Sequence, residues 1–237
     1  MSLCISIVTH QSRAHVGACL EALRHAGGGT QAVRVVDSGS RDGTPELVRR
    51  RFPEVELEVL DANVGYAAGH NRSFARARER FFLALNPDVV LCPASLDVLA
   101  AALEDDPALG AVGGRLLQAA DPERLDSAGI VRTVTRFVDR GRGAPASRFD
   151  RAQDVFGVCG AAALYRVSAL QRVSRPGEAP FAEGFFMYYE DVDLAWRLRR
   201  AGFRSRYVPA AQALHVRGGS GARPAFVEYH LVRNRLW

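Results

Sequence analysis

The sequence predicts an α/β fold, a single domain built around a mostly parallel β-sheet. In the first half of the chain, short apolar runs end in a polar residue and are each followed by a segment with helical periodicity. The chain also has 237 residues, of which 48% are hydrophobic, and this is enough for one sizeable core without disulfides. We therefore expect a single domain over residues 1–237.

Four strands and the helices between them are predicted in the first half. The strands are residues 3–8, 33–36, 55–60 and 81–85. The helices are a segment around 16–23, a helix that begins near Pro45, and the segments 67–79 and 96–103. Repeated units of this kind form parallel sheets, in which all strands end at the same edge.

The pattern changes after about Gly113. Residues 127–129 predict a turn, and residues 140–154, rich in Gly, Pro, Ser and charge, predict a mobile loop. The elements predicted beyond this loop are an apolar run over 155–165, a loop over 174–184, a helix over 190–201 closed by Gly202, and a short strand at 207–208.

The positive charge of the chain does not by itself indicate a nucleic-acid partner. The formal net charge is +5. The sequence has 31 arginines and no lysine. Many of these arginines alternate with apolar residues, as on solvated helix faces, and we expect no nucleic-acid partner. The lack of lysine excludes a Walker-type phosphate loop, a Schiff-base lysine and a kinase-type ATP lysine.

The cysteine spacing and the apolar runs give no indication of a zinc or redox protein, a secreted protein or a membrane-spanning protein. The 4 cysteines lie far apart, without a zinc or redox spacing. Residues 1–9 lack the basic leader and cleavage site of a signal peptide. The longest nearly uncharged stretch, 155–165, is shorter than the roughly 18 residues that suggest a spanning helix. We expect a cytoplasmic protein, with at most peripheral contact with the inner face of the membrane.

Polar side chains stand at the ends of the four predicted strands: Thr9, Asp37, Asp61 and Asp88. Because ligands of open α/β sheets bind beyond the carboxyl ends of the strands, we expect these residues to converge on one crevice. Asp37 opens the Asp-, Ser- and Gly-rich turn 37–43. It either orders that turn or accepts hydrogen bonds from a nucleobase or ribose.

Asn86, Pro87 and Asp88 directly follow the strand 81–85. A carboxylate at this position is a hard oxygen ligand suited to Mg²⁺ or Mn²⁺, or it caps the turn before Val89. One carboxylate by itself does not complete the coordination shell of a metal ion. Substrate phosphates commonly supply further ligands to Mg²⁺, and this makes the metal interpretation workable.

Carboxylates also cluster at the start of the predicted helix 190–201. Glu190, Asp191 and Asp193 follow residues 185–189, which we call the aromatic segment. They are either ordinary partners of the helix dipole, or one of them deprotonates an acceptor hydroxyl while the rings stack on a sugar. His215 precedes the Gly-containing stretch 216–220, and a lone histidine is usually structural.

Four segments occur in order along the chain: Ser-Ile-Val-Thr-His at 6–10, the turn 36–43, Asn-Val-Gly-Tyr-Ala-Ala-Gly-His-Asn at 63–71, and Asn-Pro-Asp at 86–88. Together they resemble the inverting glycosyltransferases of family 2, the GT-A group, and most closely the bacterial rhamnosyltransferase-like members. Asn-Pro-Asp stands where that family has its Asp-x-Asp metal motif. Because Asn86 replaces the first Asp, only Asp88 is a charged ligand there.

The resemblance implies a nucleotide-sugar-binding half at 1–115 and an acceptor-binding half at 116–237. It implies Asp191 as catalytic base, and Asp88 with His215 as ligands of Mg²⁺ or Mn²⁺. The implied nucleotide-sugar contacts are Thr9, Asp37, Ser38, Asp61, Asn63, Gly65, Asn71, Asn86 and Arg217. The implied acceptor contacts are Gly160, Ala161 and Glu190. Arg233 and Asn234 match a pair often found near the end of the catalytic domain.

The implied reaction moves a sugar, with rhamnose favoured, from a dTDP- or UDP-sugar to a saccharide or lipid-linked saccharide in bacterial cell-surface polysaccharide synthesis. Two alternatives stay open. A sugar-phosphate nucleotidyltransferase also uses an α/β sheet and metal, but usually needs a basic Gly-rich phosphate loop that is absent here. A non-catalytic basic module for nucleic acid or membrane is motivated by the pI of about 9.4.

Overall fold

A ten-stranded mixed sheet with helices on both faces forms the body of the molecule. The computed structural model describes residues 2–27, 30–174, 177–218 and 224–235. Part of the stretch predicted after His215, residues 219–220, lies outside the described residues, as does Trp237 at the end of the predicted domain.

The strands are β1 Ser2–Thr9, β2 Thr30–Ser38, β3 Glu56–Leu60, β4 Phe81–Leu85, β5 Val89–Leu91, β6 Leu109–Gln118, β7 Asp121–Ser127, β8 Ile130–Arg132, β9 Phe137–Asp139, β10 Gln153–Val155, β11 Ala162–Arg166 and β12 Arg204–His215. The helices are α1 Val16–Leu23, α2 Thr44–Arg51, α3 Gly65–Ala75, α4 Ser95–Asp105, α5 Val167–Val173, α6 Glu190–Arg200 and α7 Pro224–Arg235. None of the helices in the described ranges is long and apolar enough to span a membrane.

The four strands predicted in the first half form a parallel block on one side of the sheet, and β6 and β12 form a further parallel pair. The four strands of the block lie in the order β4-β1-β2-β3, and each neighbouring pair among them is parallel. β11 joins β4 in antiparallel orientation and leads to β6, β12 and β10. The predicted α/β fold with a mostly parallel sheet is therefore confirmed, and the ends of β4, β1 and β2 lie side by side at one edge.

Alternate residues of the central strands enter two separate cores. Leu3, Ile5 and Ile7 of β1 point toward α1, α2 and α4, whereas Cys4 points to the opposite face with α3, α5 and α6. β4 behaves in the same way and is buried on both faces. This two-residue alternation explains why β4 reads as a continuous apolar run, since a strand covered on both faces needs no polar side.

Three local predictions need correction. β12 spans twelve residues rather than the two at 207–208, because its pairing with β6 continues past an irregularity between Val208 and Gln212. α3 ends at Ala75, four residues before the predicted end. The segment 140–154 contains a 3-10 helix at Ala146–Arg148 and enters β10, whereas its mobility stays a prediction. The boundary implied after residue 115 lies within β6, and the division into two halves stays a prediction.

Close packing of α3 on β1 sets the position of the 63–71 motif. A Cβ added to Gly69 would lie 2.6 Å and 2.7 Å from the two Cγ atoms of Val8. Such distances are far below van der Waals contact, so only glycine allows the helix to approach the strand this closely. The motif thereby carries Tyr66 and Asn71 to fixed places beside the sheet.

We predict that Gly69→Ala lowers the free energy of unfolding by about 1–3 kcal/mol, because the branched Val8 side chain cannot rotate away from the added methyl group. Gly17→Ala in α1 is the matched control. Its Cβ would lie 3.3 Å from the end of the flexible Arg51 side chain, so we expect a nearly neutral effect. Urea unfolding of both variants measures the difference, and equal stability would contradict the close-packing argument.

Candidate active site

Thr9 and Asp37 lie opposite each other at the carboxyl ends of the parallel strands β1 and β2. The Thr9 hydroxyl donates to Asp37 Oδ2 at 2.8 Å, and the backbone N–H of Ser40 donates to Asp37 Oδ1 at 2.9 Å. Both Thr9 and Asp37 are fully buried. Asp37 therefore orders the turn after β2, while each of its oxygens keeps a second acceptor position.

Ser38 and Asn63 join the end of β2 to the start of α3. The Ser38 hydroxyl donates to Asn63 Oδ1 at 3.1 Å and accepts from the backbone N–H of Val64 at 2.7 Å. Asn63 Oδ1 also accepts from the backbone N–H of Gly65 at 3.0 Å. The structure thus gathers Thr9, Asp37, Ser38, Asn63 and Gly65, all predicted as nucleotide-sugar contacts, into one cluster.

Asp61 and Asn71 do not join this cluster. Asp61 is exposed beyond β3, and no hydrogen bond between described residues links it to the cluster. Asn71 is buried, and its amide nitrogen donates to the carbonyl oxygen of Phe181 at 2.8 Å and to Glu183 Oε1 at 2.9 Å. Its amide oxygen accepts from Phe181 N–H at 3.0 Å. Asn71 therefore holds this part of the chain, and its contact with the nucleotide sugar stays a prediction.

Asp191 is held in place at the start of α6 by backbone donors. Its Oδ2 accepts from Gly160 N–H at 3.0 Å, and its Oδ1 accepts from Val192 N–H at 2.8 Å. The Tyr66 hydroxyl donates to the carbonyl oxygen of Gly160 at 2.7 Å. A Cβ at position 160 would lie 3.0 Å from that hydroxyl, so glycine leaves room for both contacts.

Burial changes the protonation of both adjacent acids. It raises the pKa of Asp191 to about 6, although the hydrogen bond from Gly160 N–H opposes the change. Burial, followed by the negative charge of Asp191, raises the pKa of Glu190 well above its ordinary value. Glu190 is 5% exposed, and its Oε2 has no hydrogen-bond partner among the described residues. Burial thus favours the protonated form of both carboxyl groups over the ordinary behaviour of such acids.

The turn at Asn86 meets the turn that precedes β11 and carries Gly160. Asn86 N–H donates to the carbonyl oxygen of Ala161 at 2.8 Å. Gly160 and Ala161 are consecutive, so their Cα atoms are about 3.8 Å apart. The N–H of one residue therefore contacts the carboxylate of Asp191, while the carbonyl of the next residue contacts the turn that leads to Asp88.

Asp88 and His215 converge beyond this turn. Asp88 Oδ1 lies 3.4 Å from His215 Nε2, and both residues are buried. The backbone N–H of Val216 donates to the carbonyl oxygen of Asp88 at 3.0 Å. His215 is the last residue of β12, paired with Val89 of β5, so the sheet itself brings it to Asp88. The predicted pair of metal ligands is adjacent in space.

Behind His215 lies a network of alternating charges. His215 Nδ1 is 2.8 Å from Asp126 Oδ2, and Arg217 Nε donates to Asp126 Oδ1 at 2.5 Å. A second Arg217 nitrogen donates to Asp139 Oδ2 at 2.6 Å. Arg217, predicted to meet a diphosphate, thus already pairs with two carboxylates, and a diphosphate would be reached by its other N–H groups.

Protonation in this network follows its hydrogen bonds. Burial alone would lower the pKa of His215, but hydrogen bonds to Asp126 and Asp88 outweigh burial and raise it to about 9. Burial likewise would raise the pKa of Asp126, but hydrogen bonds from His215 and Arg217 lower it. Asp126 therefore stays ionised and fixes the orientation of the imidazole, as outer-shell carboxylates do for metal-ligating histidines.

The donor set at Asp88 fits a divalent cation that receives ligands from a substrate. Asp88 supplies a carboxylate oxygen, and His215 supplies an imidazole nitrogen once Nε2 has lost the proton that faces Asp88. Both atoms suit Mn²⁺, and the oxygen also suits Mg²⁺. Within the described ranges no group of three His, Cys, Asp or Glu residues could hold a metal ion. The chain therefore offers part of a coordination shell, and diphosphate oxygens would have to supply the rest.

Sequence reasoning missed Asp126, Asp139 and Tyr66 as site residues. Asp126 had one local signal, because it precedes the predicted turn 127–129 at the end of β7. Tyr66 lies inside the 63–71 motif, but its partner Gly160 is 94 positions away. Asp139 ends the short strand β9 and had no signal in the sequence.

Sequence comparison supports the resemblance. The model of glycosyl transferase family 2 matches residues 4–174. The chain is also 33% identical to the N-acetylglucosaminyl-diphospho-decaprenol L-rhamnosyltransferase of Mycobacterium tuberculosis, over 91% of this chain and 76% of the relative. The family match covers well over half of the chain.

Solved structures share the fold. A mannosyltransferase from Pyrobaculum calidifontis in complex with GDP-Man and Mn²⁺ aligns with a TM-score of 0.65 at 19% identity, over 98% of this chain and 62% of that one. TarS 1-349 from S. aureus aligns with a TM-score of 0.65 at 18% identity, over 90% of this chain and 60% of that one. The chain thus spans about three fifths of both. It belongs to glycosyl transferase family 2 and is a glycosyltransferase with the GT-A fold.

Proposed function

We propose that this protein transfers rhamnose from dTDP-rhamnose to a hydroxyl group of a lipid-linked saccharide, with inversion at the anomeric carbon. The sugar and the acceptor class follow those of the mycobacterial relative, an N-acetylglucosaminyl-diphospho-decaprenol L-rhamnosyltransferase. The nucleotide follows from the rhamnosyltransferase-like motifs of the sequence. The setting we propose is synthesis of a bacterial cell-surface polysaccharide.

One observation carries the proposal. Consecutive residues bridge the proposed base and the proposed metal turn, since Gly160 N–H binds Asp191 and the Ala161 carbonyl binds Asn86 N–H. A displacement at the anomeric carbon needs a base on the acceptor side and charge stabilisation on the leaving-group side. The bridge supports this arrangement, because it fixes both groups to the same piece of backbone.

In the proposed reaction the acceptor hydroxyl oxygen attacks the anomeric carbon while the bond from that carbon to the diphosphate breaks. Asp191 accepts the hydroxyl proton, and the nucleoside diphosphate leaves with the bonding electrons. A carboxyl group with a pKa of about 6 suits this task, because it is ionised near neutral pH yet more basic than an ordinary aspartate. Glu190, whose protonated form is favoured by burial, donates a hydrogen bond to the acceptor.

Asp88 and His215 would hold the divalent cation, Mg²⁺ or Mn²⁺, together with the donor diphosphate. When bound, the cation neutralises the negative charge that grows on the leaving diphosphate. Asp126 positions His215, and its contact with Arg217 keeps a cation beside the same region. Because the protein supplies few ligands, we expect cation and donor to bind together.

The remaining predicted residues divide between the two substrates. The cluster at the ends of β1 and β2 binds the nucleotide, and Asn86 and Arg217 face the diphosphate. Gly160 and Ala161 line the acceptor side. A lipid-linked acceptor would bring the enzyme to the inner face of the cytoplasmic membrane, which it would contact peripherally.

We predict that Asp191→Asn lowers the rate of rhamnose transfer by about 100- to 10,000-fold, because the amide cannot accept the proton. Donor binding should be kept, since the nucleotide cluster lies on other strands. Asp193→Asn is the matched control: it makes the same change in the same helical turn, where Asp193 pairs with Arg197. Steady-state transfer assays with a synthetic lipid-linked N-acetylglucosamine measure both. Transfer at the full rate by Asp191→Asn would overturn the base assignment.

The pH dependence of transfer provides a separate test. Burial raises the pKa of Asp191 to about 6, so the carboxyl group is protonated and inactive as a base below that pH. We predict that kcat/KM is level above about pH 7 and falls about tenfold per pH unit below pH 6. Donor binding is measured at each pH to separate binding from chemistry. If kcat/KM instead begins to fall only near pH 4, another group controls the reaction.

Metal removal tests the role of Asp88. We predict that a chelator lowers transfer to background and that Mg²⁺ or Mn²⁺ restores it.

Asp126→Asn should raise the metal concentration for half-maximal activity by about 10- to 100-fold, because His215 loses its orienting partner. Asp105→Asn, an exposed change of equal charge at the end of α4, serves as control. Full activity in the chelator would exclude a metal role, and release of pyrophosphate from a nucleoside triphosphate would favour a nucleotidyltransferase.

A further inference from the structure

The backbone just before Asp191 adopts an unfavourable conformation. In the aromatic segment, Phe186, Tyr188 and Tyr189 have φ angles of 64°, 66° and 70°. Residues with a Cβ rarely adopt this left-handed region, and aromatic residues have no side-chain group that compensates for it locally. The segment contains no glycine. Contacts from elsewhere in the fold must therefore keep it in this conformation.

Asn234 of α7 supplies the main contacts. Its amide nitrogen lies 2.9 Å, 2.8 Å and 2.8 Å from the carbonyl oxygens of Phe185, Met187 and Tyr188. An amide has two N–H groups, so these donors are shared among the carbonyls. Asn234 is 2% exposed, and water therefore competes little for these hydrogen bonds.

Arg233 completes the arrangement. Its Nε donates to Asn234 Oδ1 at 2.7 Å, which fixes the direction in which the amide nitrogen points. Another of its nitrogens donates to the carbonyl oxygens of Gly184 at 2.6 Å and Phe185 at 2.8 Å. Adjacent side chains of one helix thus bind four carbonyls around the aromatic segment, and we call the two residues the α7 clamp.

The opposite side of the aromatic segment rests on α3. Ala67 N–H donates to the carbonyl oxygen of Phe186 at 3.3 Å, and a Cβ at Gly65 would lie 2.5 Å from that oxygen. On the α7 side the His230 ring stacks on Phe186, with centroids 5.1 Å apart and an interplanar angle of 15°. The segment is therefore held between the two helices, and it ends at Tyr189, the residue that precedes α6.

We propose that Arg233 and Asn234 are positioning residues for sugar transfer, because they hold the aromatic segment in the strained conformation that aims Asp191 at Gly160. This inference rests on the proposed function of Asp191 as base. The geometry of α6 is set by where the chain leaves Tyr189, and Asp191 follows two residues later. Release of the clamp lets the segment return to ordinary φ angles, which displaces the start of the helix and admits water to Asp191.

Asn234→Ala tests the proposal, with Arg235→Ala, an exposed change at the end of the same helix, as matched control. We expect the kcat for transfer from dTDP-rhamnose to fall by about 100-fold, since a displacement of about 1 Å can have this effect. The dissociation constant for dTDP with Mn²⁺ should stay within about threefold of the control, because the nucleotide cluster lies on β1, β2 and α3. The acidic limb of the pH profile should move below pH 6, because hydration of Asp191 removes the effect of burial on its pKa.

Hydrogen–deuterium exchange provides a readout that does not depend on activity. Amides 185–189 should exchange at least about tenfold faster in Asn234→Ala than in Arg235→Ala, while β1 and β4 stay protected. Unchanged exchange of the segment, or equal loosening of β1 and β4, overturns the clamp. Accelerated exchange with kcat and pH profile unchanged overturns its positioning role.

If Asn234→Ala does not fold, Arg233→Lys is a milder variant for the same measurements. It keeps a positive charge but loses the planar guanidinium group with its paired donors. We expect faster exchange of amides 185–189 and a smaller loss of kcat; control-like values for both overturn the proposal. If the wild-type protein transfers no rhamnose, the proposed function fails and the positioning role fails with it. The exchange experiment still decides whether the clamp holds the segment.

Discussion

The hydrogen bonds made by two consecutive residues, Gly160 and Ala161, are the contacts on which the rest of the site depends. Gly160 N–H binds the carboxylate of Asp191, and the Ala161 carbonyl binds Asn86 N–H. These bonds tie α6 and the turn after β4 to the turn that precedes β11. Backbone groups of buried residues are stiffer donors and acceptors than long side chains, so these contacts hold Asp191 and the turn at Asn86 in fixed positions relative to each other.

Two buried aspartates of this site have opposite protonation behaviour for a simple reason. Asp191 accepts hydrogen bonds from neutral backbone N–H groups, which only partly offset burial, and its pKa rises. Asp126 contacts the guanidinium of Arg217 and the imidazole of His215, whose hydrogen bonds and charges outweigh burial, and its pKa falls. The proposed base and the carboxylate beside the proposed metal ligands are thus distinguished by their partners.

Glycine residues and the strained aromatic segment together position the side of the site where we propose that the acceptor binds. Gly69 allows α3 to pack against Val8, and Gly65 leaves space for the carbonyl of Phe186. The aromatic segment then crosses from α3 to α6 in a conformation that its own residues disfavour. The α7 clamp offsets that cost from a part of the chain close to its end.

The sequence by itself determined the parallel sheet, the alternation of helices, the cluster at the ends of β1 and β2, and the places of Asp88 and Asp191 at element ends. These features follow from periodicity and from polar residues at strand ends, which are local patterns. Only the tertiary structure decided the length of β12, the use of Asn71 on residues 110 or more positions away, and the pairing of His215 with Asp126 across 89 positions. The tertiary structure alone also decided the contact of Asn234 with the aromatic segment. Hydrogen bonds between residues far apart in the chain produce no periodic pattern in the sequence.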